Sequence, residues 1–407
     1  MFGGFGRALS SPHYRLYACG HIANVFGWWG NRLGIGWLTW ELTGSAGWLG
    51  IVAFAGMIPV TVVSPFAGVL ADRHGHRQMA ILAGVFGGSV SLALAFLTIY
   101  GETTIPVLIG LSILQGVAFG TEFPARQALI PQLCKRENLS AALAFNATTF
   151  QVGTFVGPVL AGFLITRWGT GASIMLFAAT NYWMALMILF IRFRPKPRDL
   201  RDNRGFLTEI AGGFRYIADT PSLRLLFMIA FTSGLLLRPY TELLPGFSGE
   251  IFGSGPEGLA ALTAAAGFGA LTCGLLLVFR GRAGGLVNIM LGGAICGSIM
   301  LAVFAAMNTL NMGIVVLATA SFLILACHVG AYSLIQNSTD AEMRGRVISV
   351  NVSISIGGPA LGALMIGWLA EAIGLQWAVT TSALLALAII LIMFPKVRRA
   401  ALTMEAE

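Results

Sequence analysis

Charge is scarce in this chain. Only 10% of the 407 residues are charged, and 56% are hydrophobic, whereas a soluble domain carries about 25% charged residues. Mean hydropathy is +0.80, and many apolar runs exceed the ~18 residues that mark a membrane-spanning helix. These values exclude an ordinary soluble domain and predict an all-α polytopic membrane protein.

Cysteine and catalytic motifs are also scarce. The five cysteines are scattered, without a C-x-x-C pair or a His/Cys cluster, which excludes a disulfide framework and a zinc site. The chain has no G-x-S-x-G, H-E-x-x-H or Walker phosphate-binding motif. We therefore predict that it is not an enzyme, binds no metal or other cofactor, and does not use ATP directly. The N-terminus does not resemble a cleavable signal peptide, so the first span is expected to act as the insertion signal.

Twelve segments are long and apolar enough to be candidate spans. They are 16–40, 46–71, 79–100, 105–126, 143–166, 171–192, 223–245, 258–279, 285–307, 311–335, 347–370 and 376–394. The longest polar break lies between the sixth and the seventh. The predicted domains are an N-terminal six-helix bundle at 1–192, a basic cytoplasmic linker at 193–222, a C-terminal six-helix bundle at 223–394 and a short cytoplasmic tail at 395–407.

The basic residues are distributed unevenly among the loops. If the N-terminus is cytoplasmic, the regions on that side contain nearly all of the arginines and lysines between spans, including Arg73, Arg77, Arg136 and Arg344. The opposite loops contain Arg167 and the acids Glu102, Glu250, Glu257 and Glu371. The positive-inside rule then predicts that both termini are cytoplasmic. It also accounts for the net charge of +8 without a nucleic-acid partner.

Short motifs recur at an interval close to half the chain. Gly157-Pro158 in the fifth span is echoed by Gly358-Pro359 in the eleventh. Arg32 in the first span is likewise echoed by Arg238 in the seventh. Such repeats are typical of transporters built from two pseudo-symmetric bundles that alternate access to a central site.

The turn between the second and third spans has a distinctive sequence, Gly68-Val-Leu-Ala-Asp72-Arg73-His74-Gly75-His76-Arg77. It resembles the G-x-L-A-D-R-x-G-[RK]-[RK] signature of the major facilitator superfamily, with His76 in place of a basic residue. The resemblance implies a conformational gate formed by five residues, and a plain cytoplasmic turn is the alternative. These residues are Gly68, Asp72, Arg73, Gly75 and Arg77. We expect Gly68 to allow close helix approach, Gly75 to adopt a positive φ, and Asp72 to accept from helix N–H groups or an arginine.

The fifth span contains a second motif, with Gly153, Gly157, Pro158 and Gly162 at its main positions. It resembles the G-x-x-x-G-P-x-x-G-G signature of exporter branches of the same superfamily, although the upstream glycine position is Ala144. Glycines four residues apart give a flat face for helix packing, and the proline bends the helix. Generic small-residue packing is the alternative interpretation.

Four further segments resemble the enterobactin-exporter-type group, a bacterial branch often labelled transmembrane secretion effectors. They begin at Trp37, Phe123, Leu244 and Arg344. The resemblance runs from about residue 10 to 394 and implies the major facilitator fold, with twelve helices in two pseudo-symmetric bundles. It implies a proton-coupled secondary transporter that exports a siderophore-, drug- or metabolite-like molecule from the cytoplasm.

The resemblance also defines the expected setting and the rival functions. The chain is expected to be a monomer in the bacterial inner membrane, with the small-molecule substrate, protons and membrane lipids as its partners. A lipid flippase or a metal-ion exporter on the same fold is the alternative. A non-transporting sensor would usually add a soluble domain or a long tail.

Polar side chains inside the spans are the candidates for substrate contact or coupling, because they are costly in hydrocarbon. They are His21, Asn24, Trp28, Asn31, Arg32, Glu122, Arg126, Arg238, Glu242 and His328. Glu122 either carries a proton or forms a structural ion pair with Arg126. Arg32 and Arg238, with Glu41 or Glu242, either form an outer gate or anionic-substrate site, or extend to the interface. His328 either titrates or is a core residue.

Overall fold

The computed structural model describes residue 6 and residues 9–191, 206–280, 284–340 and 342–404. Within these ranges the backbone forms fourteen α-helices and no strand. The helices of the N-terminal half are α1 (Pro12–Thr43), α2 (Ala46–His74), α3 (His76–Ile99), α4 (Ile105–Leu133), α5 (Leu139–Trp168) and α6 (Thr170–Phe190). The others are α7 (Phe206–Asp219), α8 (Pro221–Thr232), α9 (Tyr240–Gly246), α10 (Gly255–Arg280), α11 (Leu286–Ala305), α12 (Leu310–Asn337), α13 (Arg344–Ile373) and α14 (Leu375–Met404).

Eleven helical stretches of the described chain are long and apolar enough to cross a membrane. They coincide with the second to twelfth predicted spans. The first predicted span lies in α1, which has 32 residues and is about 48 Å long at 1.5 Å per residue. This exceeds the ~30 Å hydrocarbon core, but side chains such as Asn24 and Arg32 lower its hydropathy. With α1 as the twelfth helix, the predicted all-α polytopic architecture is confirmed.

The predicted linker, 193–222, contains more helix than its polar sequence indicated. Residues 206–219 form α7, and Pro221 starts α8 after a single intervening residue, because proline is well suited to the first turn of a helix. Tyr216 on α7 donates to Asp340 Oδ2 at 2.8 Å. The linker arginines and lysine at 194, 196, 198, 201 and 204, together with Arg7 and Arg282, lie outside the described residues.

The chain divides into two compact units. The first comprises Met1–Gly44, Ala55–Leu200 and Gly255–Ala264, and the second Ser45–Phe54, Arg201–Ser254 and Ala265–Glu407. Residues 45–54 belong to the second unit and residues 255–264 to the first, and the predicted division into bundles at 1–192 and 223–394 stays a prediction. Thus the start of α2 belongs to the second unit, although the rest of α2 belongs to the first. The start of α10 belongs to the first unit, although the rest of α10 belongs to the second.

Glycine determines how α1 packs in the first unit. Gly27, Gly30 and Gly34 lie three and four residues apart, so they form a single stripe along α1. A Cβ at Gly30 would lie 2.9 Å from the Ser173 carbonyl oxygen of α6. Ser173 Oγ in turn donates to the Gly30 carbonyl oxygen at 2.8 Å. Close backbone contact of this kind drives helix association in lipid, and it leaves other faces of α1 for polar side chains.

The seventh span of the second unit is irregular. Between α8 and α9, residues Ser233–Leu237 form a π-helical turn, in which Arg238 N donates to the Ser233 carbonyl oxygen at 3.0 Å. Pro239 follows at once and has no N–H to continue the ladder. A second π-helical turn covers Phe247–Ile251. Such turns inside helices frequently occur at functional sites.

Candidate functional site

The centre of the candidate site is an ion pair on α4. Arg126 Nη1 lies 2.8 Å from Glu122 Oε1, one helical turn away. Glu122 is only 5% exposed, although a charged side chain is rarely buried unless it is paired. The pair thus supplies each charge with its partner inside a helix that is apolar enough to span a membrane.

The same guanidinium also bonds to α1. Arg126 Nη1 donates to Asn24 Oδ1 at 2.6 Å, and Nη2 lies 3.0 Å from His21 Nδ1. Because a guanidinium has donors only, His21 Nδ1 must be the acceptor. His21 is therefore neutral, with its hydrogen on Nε2, which lies 3.5 Å from the Asn146 carbonyl oxygen.

Two more helices complete the site. Asn24 Nδ2 donates to Asn181 Oδ1 of α6 at 3.1 Å, and the Tyr14 hydroxyl lies 3.0 Å from Asn146 Oδ1 of α5. The amide nitrogens of Asn146 and Asn181 are buried and have no hydrogen-bond partner among the described residues. We refer to His21, Asn24, Glu122, Arg126, Asn146 and Asn181 as the polar cluster. It joins α1, α4, α5 and α6 within the first unit.

The sequence analysis identified four members of the polar cluster: His21, Asn24, Glu122 and Arg126. It predicted only the Glu122–Arg126 contact, and the structure brings the other two to the same guanidinium. Asn146 and Asn181 were missed. The signal for them was present, because both are amides inside apolar spans, where an unpaired polar group is expensive.

Three other candidates on α1 lie apart from the polar cluster. The Arg32 guanidinium carbon is 5.3 Å from the Trp28 ring centroid and 5.8 Å from that of Trp29. Arginine over an indole face is a favourable cation–π arrangement. Asn31 is 7% exposed, and its Oδ1 has no partner among the described residues.

The candidates in the C-terminal half lie in the second unit. Arg238 Nη1 donates to the Ser355 carbonyl oxygen of α13 at 3.1 Å. Glu242 Oε1 accepts from Thr241 Oγ1 at 3.3 Å, and His328 is a half-buried residue of α12. The outer gate or anionic-substrate site predicted for Arg32 and Arg238, with Glu41 or Glu242, stays a prediction.

The Gly68–Arg77 motif occupies the turn between α2 and α3. Gly75 has a φ of 93°, as predicted, and lets α3 begin two residues after α2 ends. Asp72 Oδ1 lies 3.1 Å from His76 Nε2. The histidine that departs from the family signature thus lies within hydrogen-bonding distance of Asp72, a contact that the sequence analysis did not name.

Arg77 and Gly68 have different surroundings from those of Asp72. Arg77 Nε and Nη2 donate to the carbonyl oxygens of Ile188 and Leu189, at 3.2 and 2.7 Å. These contacts cap the last turn of α6, where free carbonyl groups favour a cation. A Cβ at Gly68 would meet no atom of the described residues within 4 Å, so the close approach expected there is not present among them.

The glycine motif of α5 packs against aromatic and small side chains. A Cβ at Gly157 would lie 2.6 Å from Trp29 Cγ of α1. Pro158 is buried inside the helix. A Cβ at Gly162 would clash with Ala260, at the start of α10, a segment that belongs to the same unit. The motif therefore holds helices at close range within the first unit.

Comparison with known proteins is consistent with this architecture. Residues 8–406 match the model of the family described as transmembrane secretion effector. The chain is 27% identical over 336 residues to the enterobactin exporter EntS of Citrobacter koseri. This alignment covers 81% of this chain and 77% of the relative. The protein of the same name from Shigella boydii is equally similar, with the same identity and coverage.

Solved structures show the same fold. A bacterial homologue of the human lysosomal transporter Spinster, in an inward-facing and unoccupied conformation, has a TM-score of 0.77 and 14% identity. The match covers 97% of this chain and 99% of that one. The nucleoside transporter NupG has a TM-score of 0.73 and 13% identity, with 94% and 99% covered.

The helical fold and these matches define a multi-pass membrane transporter with the major facilitator fold. The chain belongs to the transmembrane secretion effector family of that superfamily. It is accordingly a secondary transporter of a small molecule, and its relatives are transporters rather than enzymes. Among the described residues, no group of three or more His, Cys, Asp or Glu side chains is placed to hold a metal ion.

Proposed function

We propose that the chain exports a siderophore-, drug- or metabolite-like molecule across the bacterial inner membrane by alternating access, in exchange for protons. The family description and the naming of its relatives as enterobactin exporters support the direction and the kind of cargo. Both termini are proposed to be cytoplasmic because of the distribution of basic residues.

The polar cluster is proposed as the coupling site. The observation that carries this proposal is that Arg126 holds Glu122, Asn24 and His21 at once. A proton on Glu122 removes the negative charge that pairs with the Arg126 guanidinium on the same helix, α4. A proton on His21 Nδ1 removes the acceptor that holds the guanidinium on α1 and places two positive charges side by side. Either proton changes how α1 and α4 are joined.

The test uses the full chain in proteoliposomes. A panel that includes enterobactin, ethidium and a nucleoside is screened by counterflow, and transport of the identified substrate is then measured with and without a pH gradient. Glu122→Gln is expected to keep counterflow but to lose stimulation by the gradient. Glu137→Gln is the matched control, since Glu137 is exposed in the turn after α4. If Glu122→Gln retains full gradient stimulation, the ion pair is structural and the coupling proposal is wrong.

Orientation is tested separately by labelling. Single cysteines replace Glu102 or Lys135, both exposed, in a chain without its native cysteines. A membrane-impermeant maleimide added to whole cells with a permeable outer membrane is expected to label position 102 and not 135. The reverse pattern would contradict the proposed topology, and with it the assignment of the outer face.

A further inference from the structure

A cavity of about 610 Å³ opens at one end of the first unit, where α1 ends and α6 begins. Its apolar walls include Trp37, Ile99 and Trp168. All of the lining residues, including Pro256 at the start of α10, belong to the first unit. We call it the Glu41 pocket. The volume is in the range of small-molecule sites, roughly 300–1,000 Å³.

The only charged side chain that lines the Glu41 pocket is negative. Glu41 is the sole ionisable side chain among the residues that line the pocket, and the other polar side chains there are threonines. Thr170 Oγ1 donates to Glu41 Oε2 at 3.1 Å, which orients the carboxylate and leaves Oε1 for another partner. Arg167 is a sequence neighbour of the lining residues but does not line the pocket.

The aromatic walls of the pocket favour a cation, as the Glu41 carboxylate does. Indole rings have a negative face that attracts cations, and both Trp37 and Trp168 line the pocket. Trp168 is 64% exposed, so its ring is accessible to a ligand. A pocket lined by a single carboxylate, two indole rings and threonine hydroxyls matches a molecule that has one positive charge and an apolar or aromatic body.

We infer that the Glu41 pocket is a binding site for an amphipathic organic cation, with the charge at Glu41 and the apolar body against Trp37 and Trp168. The pocket is distinct from the polar cluster, because Glu41 lies some five helical turns, about 25 Å, from Asn24 along α1. The cation is either a soluble amphiphile or the ammonium group of a phosphatidylethanolamine headgroup.

Binding is tested at equilibrium, with the detergent-solubilised full chain and no ion gradient. The probe is radiolabelled tetraphenylphosphonium, and tetraphenylborate has nearly the same shape with the opposite charge. Glu41→Gln is expected to weaken phosphonium binding at least tenfold and not to weaken borate binding, because the carboxylate attracts the cation and repels the anion. Glu102→Gln is the control, since it removes an equal charge from the adjacent loop but does not line the pocket. Trp168→Ala, at an exposed position, should also weaken phosphonium binding.

Two results would overturn the inference. One is phosphonium affinity that Glu41→Gln leaves unchanged in a variant with native thermal unfolding. The other is an equal loss in Glu102→Gln, which would mean that the effect is general surface charge. Because no gradient or transport is involved, these results are independent of the proposed proton coupling.

The source of the cation is distinguished in nanodiscs. Phosphonium affinity is compared in phosphatidylglycerol alone and in mixtures with phosphatidylethanolamine. If the ethanolamine lipid lowers the Glu41-dependent affinity, the site takes a lipid headgroup. If that affinity is unchanged, the site takes a soluble cation. Absence of Glu41-dependent binding in both membranes would again overturn the inference.

Discussion

Glu371 near the end of α13 accepts two hydrogen bonds from the start of α2. Ser45 Oγ donates to Glu371 Oε1 at 2.6 Å, and Gly47 N donates to the same oxygen at 2.9 Å. Ser45 Oγ also lies 3.2 Å from Trp48 N, as in a helix N-cap. A Cβ at Gly367 would lie 2.6 Å from the Ala46 carbonyl oxygen. These contacts explain why residues 45–54 group with the second unit.

Removing the Glu371 carboxylate should therefore free the start of α2. In Glu371→Ala, hydrogen exchange at Gly47 N is expected to accelerate roughly tenfold, because a hydrogen bond to a charged acceptor is lost. Exchange mass spectrometry of peptides covering 45–54 measures this. Glu102→Ala, another exposed glutamate, should leave those peptides unchanged. Unchanged exchange in Glu371→Ala would show that the glycine contacts alone hold the segment.

Removing one member of the buried Glu122–Arg126 ion pair should lower the stability of the folded protein. Arg126→Ala leaves the Glu122 carboxylate buried without its charge partner, and the expected loss is about 3–5 kcal/mol of stability. Thermal unfolding in detergent measures it. Glu122→Gln/Arg126→Met replaces both charges with neutral side chains of similar size and should recover part of the loss, because Asn24 and His21 still lack the donors of Arg126. Arg136→Ala, at an exposed position, is the control, and Arg126→Ala as stable as this control would contradict the prediction.

A methyl group at Gly157 should disturb the contact with Trp29. Gly157→Ala places a Cβ 2.6 Å from Trp29 Cγ, and overpacking of this kind costs about 1–3 kcal/mol. The matched variant is Gly110→Ala in α4, where a Cβ meets no described atom within 4 Å. The unfolding temperature should fall in the first variant and not in the second. Addition of Trp29→Leu should partly restore it. Equal unfolding temperatures for the two glycine variants would exclude a tight contact at Gly157.

Arg77 should stabilise the last turn of α6. Arg77→Ala removes the donors to the Ile188 and Leu189 carbonyl oxygens, at an expected cost of about 1–3 kcal/mol. Faster hydrogen exchange in the peptide that covers 184–191 would report the loss. Arg73→Ala removes an exposed arginine of the same motif and should leave this peptide unaffected. If Arg73→Ala accelerates exchange in this peptide as much as Arg77→Ala does, the hydrogen bonds of Arg77 make no specific contribution, and the effect is that of a lost positive charge.

The irregularities of the fold were harder to predict than its outline. The turn at Gly75 could be placed because charged residues and glycine interrupt two apolar runs. The π-helical turn before Pro239 could not, because it depends on a carbonyl–amide shift that α-helical periodicity does not encode. The helix α7 was read as linker, since its neighbours are polar and it is too short to span.

The sequence by itself determined the membrane class, the positions of the spans and the tight turn at Gly75. In hydrocarbon every backbone group must bond within its own helix, so length and hydropathy along the chain are sufficient. Only the tertiary structure decided which polar groups meet. Arg126 reaches Asn24 across 102 positions, and Ser45 reaches Glu371 across 326. Such contacts depend on which helix faces touch. Glycines in the sequence indicate which face of a helix can pack closely, but they do not indicate which other helix packs there.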